Sequence, residues 1–190
     1  MNMKKQQGQS ASSLTGLFHH RWAVPALAAL STLGGGAKFV TLQMNLGVSR
    51  DSLKRTLVAL VDAGLIARNP GYGHPMRPEY VLTAVGKQVA PACAAVVEKL
   101  QRLGIEDVGL KKWSLPVAHA LVAADGRFNR LRAALGEVTP RALAQALRDL
   151  QQVGLVKRLL VDDNPPRTEY QLTRRGRRLT SVMVELAQVT

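Results

Sequence analysis

At 190 residues with 46% hydrophobic side chains, the chain suffices for one or two small domains with ordinary apolar cores. A net charge of +13 suits a polyanionic partner, while an aromatic content of 4% leaves too few rings for a platform that stacks single-stranded bases. The lone cysteine, Cys93, excludes an internal disulfide, and the longest apolar run, 22–30, is too short for a bilayer and is interrupted by Pro25. The expected setting is therefore a reducing cytoplasm close to the nucleoid, with no membrane partner.

Residues 1–17 read as a flexible N-terminal tail, because Lys4 and Lys5 are followed by Gln, Ser and Gly instead of the apolar stretch of a signal peptide. A first module is expected over 18–103. It opens on an Ala/Leu-rich helix containing Pro25. Gly34-Gly35-Gly36 looks superficially like a phosphate loop, yet the Lys-Ser/Thr pair that follows in such loops is missing. It reads as a loop between helices, with Ala37-Lys38-Phe39 beginning the next one, whose apolar residues are Phe39, Leu42 and Leu46. After Gly47-Val48-Ser49, Leu53, Leu57 and Leu60 recur at i, i+4, i+7, the spacing of a helix with one buried face. Gly64 supplies the stop. Strand-like segments follow around Leu65 to Arg68 and Glu79 to Leu82. Thr83 then caps a long helix carrying Val85, Val89, Ala92, Val96 and Leu100.

The linker, 104–111, holds Glu106, Asp107 and Gly109 and is too short for two modules to roam independently. A second module, 104–190, repeats the first. Phe128, Leu131 and Leu135 answer Phe39, Leu42 and Leu46, and a Gly136-Glu137-Val138 turn follows. Thr139-Pro140 pairs a cap residue with proline at the first helical position, opening a helix with Leu143, Leu147 and Leu150 inward. Arg141, Gln145, Arg148, Asp149 and Gln152 are assigned to its outward face. Beyond Gly154, Leu155 to Leu159 and Thr168 to Leu172 read as strands joined by the Asp/Asn/Pro-rich stretch 162–166. Pro75, Arg77, Glu79, Tyr80, Leu82, Thr83 and Gly86 match Pro165, Arg167, Glu169, Tyr170, Leu172, Thr173 and Gly176, each pair 90 positions apart. A register held across loops means duplication. Helix, turn, helix and a two-stranded ribbon make a winged helix-turn-helix, so the expected fold is mainly α (an α+β winged helix), with two tandem modules forming a pseudo-dimer.

The residues that carry the second module also carry a family resemblance. Lys112-Trp113-Ser114-Leu115, Arg127-Phe128-Asn129-Arg130-Leu131, Thr139-Pro140-Arg141, Leu147-Arg148-Asp149-Leu150, Gly154-Leu155-Val156 and the run from Pro165 to Thr173 with Gly176 resemble, in order, the HxlR-type bacterial transcriptional regulators. The resemblance implies a sequence-specific regulator of double-stranded DNA. Members of that family are usually single-module dimers, often with a Cys-Pro pair before the first helix. That cysteine is absent here, so the resemblance does not extend to thiol sensing.

In a helix-turn-helix the second helix enters the major groove and its N-terminal outward residues meet base edges. The candidate contacts are Arg141, Gln145 and Arg148, with Arg127 and Thr139, in the second module, and Ser49, Arg50, Ser52, Lys54 and Arg55 in the first. Arginine forks onto guanine and glutamine onto adenine. Asp51, where the second module has Arg141, accepts only from a cytosine amine or sits against Arg55, so the two helices should read different bases. Arg68, His74 and Arg77, and Arg158 and Arg167, are candidates for phosphate or minor-groove contact from the ribbons. Asp162 and Asp163 would keep the second ribbon further from phosphate. Against each assignment stands the plainer one of a solvated basic face. Glu79 and Glu169 are expected to pair with Arg77, Arg167 or a helix residue. Arg174, Arg175, Arg177 and Arg178, at the unfavourable end of a helix for positive charge, point either to an external anion or to a solvated face.

No enzyme, cofactor or metal is expected. His19, His20, His74 and His119 are scattered, and His19-His20, taken as extended, lack a third ligand at metal spacing. Cys93, among Ala and Val, reads as a small buried hydrophobe. The helices after Thr83 and Thr173 would pair within the chain or in a homodimer, or else fold back on their own modules. Two other functions fit the same features: a replication or partition initiator of a mobile element, and a winged-helix protein-interaction module.

Overall fold

The computed structural model describes residues 16–69, 78–123 and 125–190. The first unit contains α1 (Ala23–Thr32), β1 (Gly36–Lys38), α2 (Phe39–Leu46), α3 (Arg50–Asp62), β2 (Ile66–Asn69), β3 (Glu79–Leu82) and α4 (Ala84–Leu103). After a helical turn, α5 (Glu106–Gly109), the second unit runs through α6 (Ser114–Ala123), α7 (Phe128–Leu135), α8 (Pro140–Gln152), β4 (Val156–Val161), β5 (Arg167–Leu172), α9 (Arg174–Arg177) and α10 (Thr180–Val189). These are two winged helix-turn-helix modules in tandem. Leu17 and Phe18 are already buried, so the core reaches into the end of the stretch assigned to the tail.

Local signals build each module. Ser49 and Thr139 stand in extended backbone and accept from the N–H of Ser52 and Ala142, capping α3 and α8. Leu53, Leu57 and Leu60, and likewise Leu143, Leu147 and Leu150, are no more than 2% exposed. Gly64 and Gly154 adopt φ near +68° and +69°, and Leu65 and Leu155 donate back to the carbonyls of Leu60 and Leu150. That is the Schellman stop, and a residue with a Cβ would be strained there. Thr83 and Thr173 cap in matching fashion: each hydroxyl accepts from the glycine three residues on and donates to the carbonyl of Gly64 or Gly154.

The structure departs from these expectations, or one copy from the other, in four places. Gly36–Lys38 is a strand and not a loop leading into a helix: it adds an edge to β3, giving the antiparallel order β1-β3-β2. A three-residue strand has no periodicity to read, and pairing with β3 alone creates it. In the second module the same position gives one bridge, Arg127 to Glu169, beside the β4-β5 ribbon. The segment 104–111 is largely the turn α5, with Ile105 and Leu110 buried, instead of an open linker. The last helix is continuous over 20 residues in α4 but broken after Arg177 in the second copy. Finally, residues 18–22 are turns that follow helical residues 16–17, with the His19 and His20 rings edge to face at 5.2 Å, not an extended segment.

The two modules meet through their last helices. Val89, Cys93, Val96 and Leu100 of α4 are buried between α1 on one side and α10 on the other, and Leu179, Met183 and Leu186 are buried as well. Arg175 reaches from the start of α9 to the carbonyl of Leu103 at the end of α4, while Val85 at the start of α4 shares a cavity with Val189 and Thr190. The paired helices are therefore antiparallel. Burial pushes the Cys93 thiol up to about 12, far from the thiolate form that reacts. No described helix is long and apolar enough to cross a membrane.

Candidate nucleic-acid interface

In the first module, α3 carries the outward face. Arg50, Asp51, Lys54 and Arg55 are exposed and Ser52 is half-buried. Ser49 and Ser52 bond through their hydroxyls at 2.9 Å, and the Arg50 guanidinium lies 5.7 Å from the centre of the Phe39 ring. Arg55 donates from Nε to the carbonyl of Asp51 at 3.4 Å, so backbone rather than carboxylate holds it. Between α2, α3 and β3 opens a groove of about 980 Å³ lined by Lys38, Arg50, Lys54, Val58, Arg68 and Tyr80 among others. Its rim is partly apolar, with Val40 62% and Val58 52% exposed.

The second module presents the same scaffold with different chemistry. Arg141, Gln145 and Arg148 are exposed along α8. Asp149, assigned from sequence to the same outward face, is instead buried at 5% exposure. Its carboxylate accepts from Lys111 Nζ at 2.9 Å and from Gln145 Nε2 at 2.8 Å. Burial works against its charge, but the hydrogen bonds from Lys111 and Gln145 and the nearby charges of Lys111 and Arg148 outweigh it and hold the carboxyl below its ordinary pKa. The helical wheel puts Asp149 at the edge of the apolar stripe. Lys111, brought in from before α6, turns that edge into an interior.

A chain with two capped, basic-faced second helices of this kind matches one family twice. The HxlR-like helix-turn-helix model aligns with residues 17–106 and again with residues 108–190. The chain belongs to the HxlR-like helix-turn-helix family. It is 32% identical over 82 residues to the uncharacterized HTH-type transcriptional regulator YvaP of Bacillus subtilis (strain 168), covering 43% of this chain and 76% of that protein. To the uncharacterized HTH-type transcriptional regulator YtfH of Escherichia coli (strain K12) it is 34% identical over 76 residues, covering 40% of this chain and 60% of that one. Among solved structures, the reduced form of the transcriptional regulator YodB from B. subtilis aligns at 25% identity and a TM-score of 0.41, covering 45% of this chain and 86% of that one.

On this HxlR-like scaffold the ribbon residues separate by what already holds them. Arg158 is exposed on β4 and reaches Thr168 Oγ1 at 3.3 Å. Arg167 is half-buried and taken up within the ribbon by Asp163 and by Glu169 Oε1, the latter at 2.9 Å, so it is not a free cation for phosphate. Glu169 also faces Arg127 Nε at 3.8 Å, and Arg127 lies 3.9 Å from Asp125. Leu160, unremarked in the sequence, is the exposed apolar residue of this wing at 80%. Arg68 is exposed on β2, whereas His74 and Arg77 lie outside the described residues. Arg175 and Arg177 donate to the carbonyls of Leu103, Val153 and Leu172, which removes them from the group expected to await an external anion. Arg174 and Arg178 remain exposed beside them. Among the described residues no group of three or more His, Cys, Asp or Glu side chains is placed to hold a metal ion.

Proposed function

We propose that this chain is a DNA-binding transcription regulator that uses α3 and α8 as two unlike major-groove readers on one duplex. The observation that carries the reading is the pair of capped second helices, each burying three leucines and turning arginine outward, on a chain of net charge +13 in the HxlR-like family. YvaP and YtfH carry the name of HTH-type transcriptional regulators, in keeping with this role. Ser49, Arg50, Ser52, Lys54 and Arg55 serve the first half-site, and Thr139, Arg141, Gln145 and Arg148 the second. Arg68 and Arg158, with Arg127 at the foot of α7, add phosphate contacts that position the protein without choosing a sequence. The functional modules divide near 103/104, and the cytoplasm is the site of action.

The antiparallel α4-α10 pair buries within one chain the apolar helices that a homodimer would use, which supports a single-chain pseudo-dimer. Its operator then consists of two unlike half-sites about one helical turn, ~34 Å, apart. Selection from random duplex, followed by footprinting and light scattering on the complex, tests this. One chain per asymmetric site is expected, with log K falling by about 0.9 per phosphate contact against log salt. A perfect palindrome bound by one chain, or a nearly flat salt dependence, would overturn it.

A further inference from the structure

We infer that Gln145 is a positioning residue for Arg148, held by a relay that runs from Lys111 through the buried Asp149, so that the second module reads one base pair through Arg148 alone and not through the glutamine. The inference rests on the reading of α8 as a recognition helix. Three hydrogen bonds define the relay: Lys111 Nζ to Asp149 Oδ2 at 2.9 Å, Gln145 Nε2 to Asp149 Oδ1 at 2.8 Å, and Arg148 Nη2 to Gln145 Oε1 at 2.8 Å.

Charge fixes the direction of the amide. A carboxylate only accepts and a guanidinium only donates, so the Gln145 amide nitrogen must face Asp149 and its oxygen must face Arg148. The reversed amide would set oxygen against carboxylate and N–H against guanidinium. Bidentate pairing with adenine needs one donor and one acceptor presented together. Here one N–H and one lone pair of the Gln145 amide are already taken, by partners at i+4 and i+3, which hold the amide along the helix and keep it from turning freely toward a base edge. Arg148 gains what Gln145 gives up: one amino group is pinned, while the guanidinium keeps its remaining N–H donors for a guanine edge.

The carboxylate end is anchored because Asp149 is buried and both its oxygens are engaged. Lys111 belongs to the segment leading into α6, so the relay ties the reading face to the inter-module joint. The first module has Arg55, Val58 and Ala59 at the matching positions and has no such relay. Its α3 presents an arginine that, among the described residues, is held by the backbone of its own helix beside an exposed valine.

The test uses the full chain, a duplex that it selects from random sequence, and variants of that duplex changed one base pair at a time. Arg148→Ala is expected to flatten the preference at one base pair. Gln145→Met, at an exposed position that tolerates the change, should lower the preference at that same pair by about tenfold, leaving other pairs and the salt slope unchanged. Asp149→Asn should do likewise, because its amide nitrogen, turned from Lys111, would force the Gln145 amide round against Arg148. Loss at a different base pair in Gln145→Met would show that Gln145 reads a base itself, and an unaltered preference at the Arg148 pair would show that the relay is only structural. Either result overturns the inference while the regulator reading stands. If the wild-type chain selects no sequence at all, the regulator reading fails first and the inference with it.

Discussion

The two modules share one scaffold and differ in how firmly their reading faces are held. In the first, a three-stranded sheet supports the helix-turn-helix, yet among the described residues no hydrogen bond ties the outward side chains of α3 beyond their own helix and its cap, and Arg50 only lies over the Phe39 ring. In the second, the sheet is a bare ribbon with one bridge to the chain before α7, yet α8 is pinned at its outward edge by the buried Asp149 and by Lys111. Support comes from backbone pairing in one copy and from side-chain pairing in the other. A homodimer cannot do this, because its two halves change together.

The largest test of that contrast lies at the approach to the sheet. Gly126 stands where the first module has Ala37, which pairs opposite Tyr80 in β3. A Cβ on Gly126 would sit 1.8 Å from the Tyr170 carbonyl oxygen, against backbone that cannot yield as a side chain would. Gly126→Ala should therefore cost about 3 kcal/mol or more in urea unfolding. A loss below about 1 kcal/mol would show that the second module relaxes readily into the geometry of the first.

The joint between the modules offers a smaller difference. Arg175 satisfies the carbonyls of Leu103 and Val153, whereas its counterpart Val85 is 54% exposed. Because Arg175 is exposed, Arg175→Ala should cost only about 1 kcal/mol, and Val85→Ala less than about 0.5 kcal/mol. Equal effects in thermal unfolding would remove the asymmetry assigned to the two ends of the α4-α10 pair.

A change in the opposite direction is expected at Ser114. Its hydroxyl is fully buried without a hydrogen-bond partner among the described residues, and Ala23 stands at the matching place. Ser114→Ala should raise stability by about 1 kcal/mol, and a loss of similar size would mean that the hydroxyl has a partner in solution.

The smallest effect should appear in acid. The folded pKa of Asp149 lies below its ordinary value of 3.8. The stability it lends is therefore complete above that value and lost as pH falls through the lower, folded one. The first module has Ala59 there and lacks this dependence. With Trp22 in one module and Trp113 in the other, fluorescence of single-tryptophan variants should show the second module weakening first. Asp149→Asn should remove the difference, and simultaneous acid transitions in both variants would contradict the assignment.

Much of this molecule was legible in its sequence because the signals are local. Caps at Ser49, Thr83, Thr139 and Thr173, glycine stops at Gly64 and Gly154, and leucines at helical spacing each depend on neighbours within one or two turns, and their recurrence 90 positions apart exposed the duplication. The basic outward residues of α3 and α8 followed from the same periodicity. What tertiary structure alone decided involves partners far apart in the chain. Strand β1 exists because β3 offers it an open edge. Asp149 is interior because Lys111 comes from 38 residues away to meet it. Arg175 is spent on carbonyls that end two other helices, 22 and 72 positions away. Periodicity says which way a side chain leaves its own helix; what waits there depends on segments that only the folded chain brings together.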